Sequence, residues 1–258
     1  MTAVSITQTD PGVALVTGAA RRIGRAIALR LARDGYRLAL HVRERSAPEA
    51  QSVADEIACT GGIAQVFTAD LAREDDVAHL VPAVTKALGA PRLLVNNASL
   101  FEADSAAKFD PGFFDRMMAV NLRAPAQLAA AFAQALPGDA QGCIVNLLDQ
   151  RVWRLNPQFY SYTLTKAALW TATQTMAQSF APRIRVNGVG PGPVLPNGPQ
   201  GEAAFAREVA GIPLGHSVSP EEIADAVAYL AAAKSVTGQM IAVDGGQHIG
   251  WRTPDIVE

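Results

Sequence analysis

The sequence predicts an α/β fold: one doubly wound, seven-stranded parallel sheet with helices on both faces. Three observations predict it. Short β-branched and apolar runs alternate with longer amphipathic stretches. The short runs are continuously apolar, as strands covered on both faces require. A glycine-bearing turn follows the first of them, at the strand-to-helix junction where such sheets bind ligands.

In chain order, the first strand is 13–17, and the amphipathic stretch 22–33 after it stops at Asp34-Gly35. Strand 37–42 leads to helix 49–59, which ends at Gly61-Gly62. Strand 63–68 leads to helix 74–88, ended by Gly89, with Pro82 inside it as an expected kink. Strand 93–96 precedes a long helix, 111–136, stopped by Pro137-Gly138. Strand 143–148 precedes another, 158–180, stopped before Pro182. Strand 184–189 opens into 190–215, where Pro191, Pro193, Pro196, Pro199 and Pro213 lie among several glycines. An irregular stretch of that length reads as a functional loop closing over a substrate. A last helix, 220–232, has Ser219 as N-cap and Pro220 at its first position. Strand 240–243 completes the sheet. Repeated β-α-β units of this kind wind a parallel sheet from both sides.

With 258 residues, 49% of them hydrophobic, residues 1–258 can bury a core as one domain. The net charge of -2 and the lack of a basic face argue against a nucleic-acid partner. No 18-residue apolar stretch and no apolar leader occur, so the expectation is a cytoplasmic protein that neither spans a membrane nor is exported. Cys59 and Cys143 lack ligand spacing, and His79, His216 and His248 have no partner pattern, so no metal site is expected.

The turn Thr17-Gly18-Ala19-Ala20-Arg21-Arg22-Ile23-Gly24 lets backbone N–H groups approach a pyrophosphate. The alternative is an ordinary tight turn. An acid at the end of the second strand would hold an NAD ribose, but here stand His41 and Arg43, then Arg45 and Ser46. Those groups suit the 2′-phosphate of NADPH, although Glu44 between them opposes it. Asp70, with Leu71, follows the third strand and could meet an adenine edge. Asn97, Ala98 and Ser99 follow the fourth; Asn96 beside them could equally be a turn former.

Tyr162 stands four residues before Lys166, on one helix face, and Asp149 precedes both. An ammonium beside a phenol is expected to draw its pKa of about 10 toward neutrality, making a proton donor. Asp149 is the unusual member; its bland reading is a carboxylate that caps a turn after the fifth strand.

These residues, with Asn121, Pro191-Gly192 and Asp244-Gly245-Gly246, resemble the short-chain dehydrogenase/reductase family over nearly the whole chain. The resemblance implies an NAD(P)-binding Rossmann fold and a homotetramer joined through the two long helices. It implies Tyr162 as proton donor and Lys166 as the nicotinamide-ribose ligand. Asn121 would anchor a water reaching Lys166, and Pro191 and Gly192 would line the cofactor. Two positions depart from the family pattern: Arg22 replaces a turn glycine and Asp149 a catalytic serine.

Both departures occur together in a narrower group resembling pteridine reductases and bacterial dihydromonapterin reductases. Ala98-Ser99-Leu100-Phe101 is similar to a segment whose serine contacts a pterin and whose phenylalanine stacks on it. Arg22, Ser99, Phe101, Asp149 and Tyr162 are then the expected substrate residues. Phe101 would wall a flat ring, or serve only as packing beneath the loop. The rival readings are a carbonyl or alcohol reductase of the same family and a non-catalytic dinucleotide-binding sensor. An ionised Asp149 would repel a developing oxyanion, which disfavours the first.

Overall fold

The computed structural model describes residues 10–195 and 201–251. All seven strands are parallel: β1 (Val13–Thr17), β2 (Arg37–Val42), β3 (Ala64–Thr68), β4 (Pro91–Asn96), β5 (Gly142–Leu147), β6 (Ile184–Pro191) and β7 (Met240–Val243). Their spatial order is β3-β2-β1-β4-β5-β6-β7. The order reverses beside β1, so the crevice past the carboxyl ends of β1 and β4 is the binding place of such a sheet.

Helices α1 (Arg22–Arg33), α2 (Ala47–Cys59) and α8 (Pro220–Ala232) cover one face. The other carries α3 (Glu74–Leu88), α4 (Pro111–Met118), α5 (Ala124–Ala135) and α6 (Tyr160–Phe180). Leu15, Leu94 and Ile144 are wholly buried on the inner strands, each side chain contributing about 1.5–3 kcal/mol by leaving water. Ser219 caps α8 in a full capping box with Glu222, as its sequence signals.

Three expectations need correction. The long helix 111–136 is not uniformly α-helical: a π turn, Ala119–Arg123, separates α4 from α5 and carries Asn121. Such turns insert one extra residue and gather at functional sites. Helix α3 runs unbroken through Pro82. Pro82 sits mid-helix and removes one backbone donor, and the chain keeps the helical path at the cost of that bond. The stretch 190–215 is not wholly irregular. Gly201–Ala210 forms α7, while Pro196 and Pro199 lie outside the described residues. Among the described residues, no helix is long and apolar enough to cross a membrane, and no cluster of ligating side chains could hold a metal.

Candidate active site

The turn after β1 is built around glycines. A Cβ at Gly24 would lie 2.1 Å from the Gly18 carbonyl oxygen, and Gly18 itself adopts φ +68 with the Ala98 backbone 3.1 Å from its would-be Cβ. No side chain can be tolerated where the turn folds back on the start of α1. The turn is tied to β4 by Thr17, whose hydroxyl accepts the backbone N–H groups of Asn97 (2.9 Å) and Ala98 (3.0 Å). The Asn97 amide donates to the Thr17 carbonyl at 2.7 Å. Asn97, expected to touch a cofactor, therefore shapes the cradle with its side chain.

The start of α1 has no side-chain cap and no acid in its first turn, and Arg21 and Arg22 flank it, both exposed. Open N–H groups, the helix dipole and two cations make an anion site that fits a dinucleotide pyrophosphate. Ile23 is half-buried and packs against the core behind the turn. Arg22 has φ 51, a left-handed conformation that a non-glycine residue seldom takes. Its guanidinium donates to the Leu195 carbonyl at 3.1 Å, joining the turn to the segment after β6.

Past β2, Arg43, Glu44 and Arg45 are exposed and Ser46 is half-buried. His41 is a correction: its ring is buried, with Nε2 3.2 Å from the Ala69 carbonyl. Burial lowers its pKa to about 4, so near neutral pH the ring carries no charge with which to meet a 2′-phosphate. His41 serves the turn instead through its carbonyl, which accepts from the N–H groups of Gly18 and Ala19. Leu71 likewise packs into the core, leaving only its backbone for a nucleotide, whereas Asp70 is exposed and its Oδ1 accepts from Ala72 N–H. Asn96 is internal, donating to Asn146, which donates to Thr173.

The carboxyl ends of β5 and β6 supply the rest. Tyr162, on the first turn of α6, donates its hydroxyl to Asp149 Oδ2 at 2.9 Å. The other carboxylate oxygen accepts the Arg151 backbone N–H at 2.8 Å, capping the short turn Gln150–Val152. Asp149 thus caps its turn and meets the Tyr162 hydroxyl with the same carboxyl group. Helix α6 is fixed at this end by Asp104, which accepts the Ser161 N–H (3.0 Å) and the Ser161 hydroxyl.

Lys166 is buried and donates from Nζ to the Leu147 carbonyl at 2.6 Å, lying 5.6 Å from the Tyr162 ring centroid. Burial lowers its pKa to about 8. The expected lowering of the tyrosine is reversed. Burial first, and the Asp149 charge second, push the phenol well above 10. Burial also pushes Asp149 up, opposed by the Arg151 N–H and charge, by Tyr162 and by Lys166. Both groups therefore hold protons more tightly than they would in water, and they titrate as a pair.

Phe101 adjoins Tyr162, its ring centroid 4.7 Å from that of Tyr162 in an edge-on arrangement. It stacks on Phe159 at 4.3 Å. Phe159, missed in the sequence, adopts φ 55 immediately before α6, and strain of that kind gathers at functional sites. Asn121 faces the same segment: Nδ2 donates to the Leu100 carbonyl (2.9 Å) and Oδ1 accepts the Leu100 N–H (2.8 Å). The Ser99 hydroxyl lies 3.2 Å from the same Oδ1. The Asn121 side chain thus pins the Ser99–Leu100 segment after β4, a task the water-anchoring expectation did not include. Pro191 ends β6, and a Cβ on Gly192 would strike the Asp244 backbone at 2.7 Å. His248 does have a partner: Asp244 Oδ2 lies 2.7 Å from its Nδ1, one helical turn back. Trp153 and Arg154 turn toward this C-terminal segment, by ring contact with His248 and a bond to the Gln247 carbonyl.

A family model described as enoyl-(acyl carrier protein) reductase matches residues 18–248. A curated 3-oxoacyl-(acyl-carrier-protein) reductase of Staphylococcus epidermidis is 32% identical over 92% of this chain and 98% of its own. Among solved structures, an alternative dihydrofolate reductase 1 (FolM) of Brucella canis, complexed with NADP, is 49% identical with a TM-score of 0.92, covering 97% of this chain and 99% of its own. A blue fluorescent protein from a metagenomic library, in complex with NADPH, is 33% identical with a TM-score of 0.85 over 92% of this chain and 97% of its own.

Proposed function

The chain belongs to the short-chain dehydrogenase/reductase family, and from that premise we propose that this NADP-dependent oxidoreductase reduces a pteridine ring, as a dihydropterin or a dihydrofolate-like molecule. The observation that carries the substrate is the Asp149–Tyr162 hydrogen bond together with the Phe101 ring edge-on to Tyr162. A flat heterocycle needs an aromatic wall, and its ring nitrogen needs a proton rather than an oxyanion hole. The 49% identity to a protein solved as an alternative dihydrofolate reductase with NADP supports the same reading.

NADPH, when bound, supplies the hydride to the ring carbon of a C=N bond. The Gly18–Gly24 cradle and the start of α1 would hold its pyrophosphate, with Arg43, Arg45 and Ser46 at the 2′-phosphate. Lys166 would hold the nicotinamide ribose with its charge, and Arg22 and Ser99 would meet the substrate. Tyr162 delivers its proton to the ring nitrogen, and Asp149 restores it. The net change is one dihydropterin, one NADPH and one proton converted to tetrahydropterin and NADP. The active form is a cytoplasmic homotetramer joined through α4, α5 and α6.

The test follows NADPH absorbance with dihydrobiopterin, dihydromonapterin, dihydrofolate, a 3-oxoacyl thioester and simple ketones. Oxidation with a dihydropterin is expected, and Asp149→Ser should lower its kcat by about 10²-fold or more. Turnover of ketones or thioesters alone would replace the pteridine reading with the carbonyl one. Undiminished pterin turnover by Asp149→Ser would remove the carboxyl group from the chemistry.

A further inference from the structure

Arg151 lies at the centre of the site, and neither the sequence motifs nor the proposed reaction gives it a role. Its side chain is only 11% exposed. It meets Asp149 twice: its backbone N–H donates to Oδ1 at 2.8 Å, and its Nε stands 3.9 Å from the same oxygen. Its guanidinium carbon lies 5.1 Å from the Phe159 ring centroid and 6.0 Å from that of Phe101. Nη1 donates to Asn156 Oδ1 at 2.9 Å, which fixes the far end of the group.

A buried cation is costly unless it is paired, and a guanidinium differs from an ammonium in lying flat on aromatic rings. Here the carboxylate supplies the pairing, and the guanidinium lies alongside the stacked pair of phenylalanines. The backbone of Phe159 is held in its left-handed conformation while its ring stacks on Phe101 and the cation sits beside both rings. One side chain therefore touches the proton relay and the aromatic wall together.

We propose that Arg151 is a positioning residue that locks the Asp149 carboxyl group and the Phe101–Phe159 wall into one unit, so that a ring held by the wall lies in line with the Tyr162 proton. The wall's part in this rests on the pteridine reading; the carboxyl group's part does not. The charged and titratable groups facing Asp149 are Arg151, Tyr162 and Lys166. The Arg151 charge favours the ionised carboxylate, so removing it raises the pH at which Asp149 loses its proton.

The test separates charge from planarity in the full-length protein. Arg151→Lys keeps the charge and loses the flat face; Arg151→Met and Arg151→Gln lose the charge. With aspartate labelled at the carboxyl carbon, the Asp149 resonance is assigned by its loss in Asp149→Asn and followed against pH. The midpoint should rise by about one pH unit in the Met and Gln variants and stay near wild type in Lys. In NADPH-driven dihydropterin reduction, all three should raise KM about three-fold or more through the disturbed wall. Only Met and Gln should also carry the alkaline fall of kcat to higher pH.

An unmoved midpoint in both neutral variants overturns the link to Asp149, and a wild-type KM in the Lys variant overturns the link to the wall. If the wild type reduces no dihydropterin, the pteridine reading fails, while the resonance midpoint still decides whether Arg151 governs Asp149.

Discussion

At the scale of single residues, burial decides more than charge pairing. Lys166 lies 5.6 Å from the Tyr162 ring, yet burial and the Asp149 charge push the phenol up rather than down, with Arg151 as the opposing cation. His41 shows the same rule with a consequence for stability. Its folded pKa is about 4 against 6.5 for a free imidazole. Between those values the unfolded chain takes up a proton that the folded ring refuses, so stability falls as pH drops through the window and is unaffected above it. A gap of that size corresponds to about 3 kcal/mol. Urea midpoints taken near neutrality and near pH ~4.5 should show wild type losing about 2–3 kcal/mol more than His41→Gln, whose amide can still reach Ala69. Equal losses in the two proteins would show that His41 is not the acid-sensitive group. Nothing in the residue names revealed this, because the sequence alone does not say how deeply the penultimate residue of β2 is covered.

At the scale of elements, the site depends on how three strand ends and one helix start are fastened. The motif Thr17-Gly18 to Gly24 was legible because only glycine fits beside the Gly18 carbonyl. The fastening of α6 was not legible, since Asp104 and Ser161 are 57 residues apart and meet only in space. Asp104→Ala removes the acceptor for two donors at the helix start and should cost about 1–2 kcal/mol, with Asp104→Asn recovering part of it. Chemical denaturation reads the loss. A fall in kcat beyond that of a remote variant of equal stability would show that the cap also aligns Tyr162 on the following residue. The π turn at Ala119–Arg123 belongs here too: its period differs from the flanking helix by one residue, a change that apolar spacing in 111–136 does not register.

At the scale of the whole molecule, the order β3-β2-β1-β4-β5-β6-β7 brings every strand end that matters to one edge. The proposed assembly joins α4, α5 and α6 to those of a partner, and α6 leaves Leu164 40% exposed on its outer side. Sedimentation at equilibrium should then give four times the monomer mass, and Leu164→Lys should shift the population toward smaller species. A monomer at all concentrations would refute the proposed tetramer. The sequence by itself determined the strand and helix alternation, the glycine cradle and the Asp149, Tyr162 and Lys166 set, because each rests on local periodicity, steric necessity or residue chemistry. The tertiary structure alone decided which way His41 and Leu71 face, which group raises or lowers each proton affinity, and that Arg151, Phe159 and Asp104 join the site. Those outcomes depend on burial and on contacts between distant segments, and neither exists until the sheet has closed over its helices.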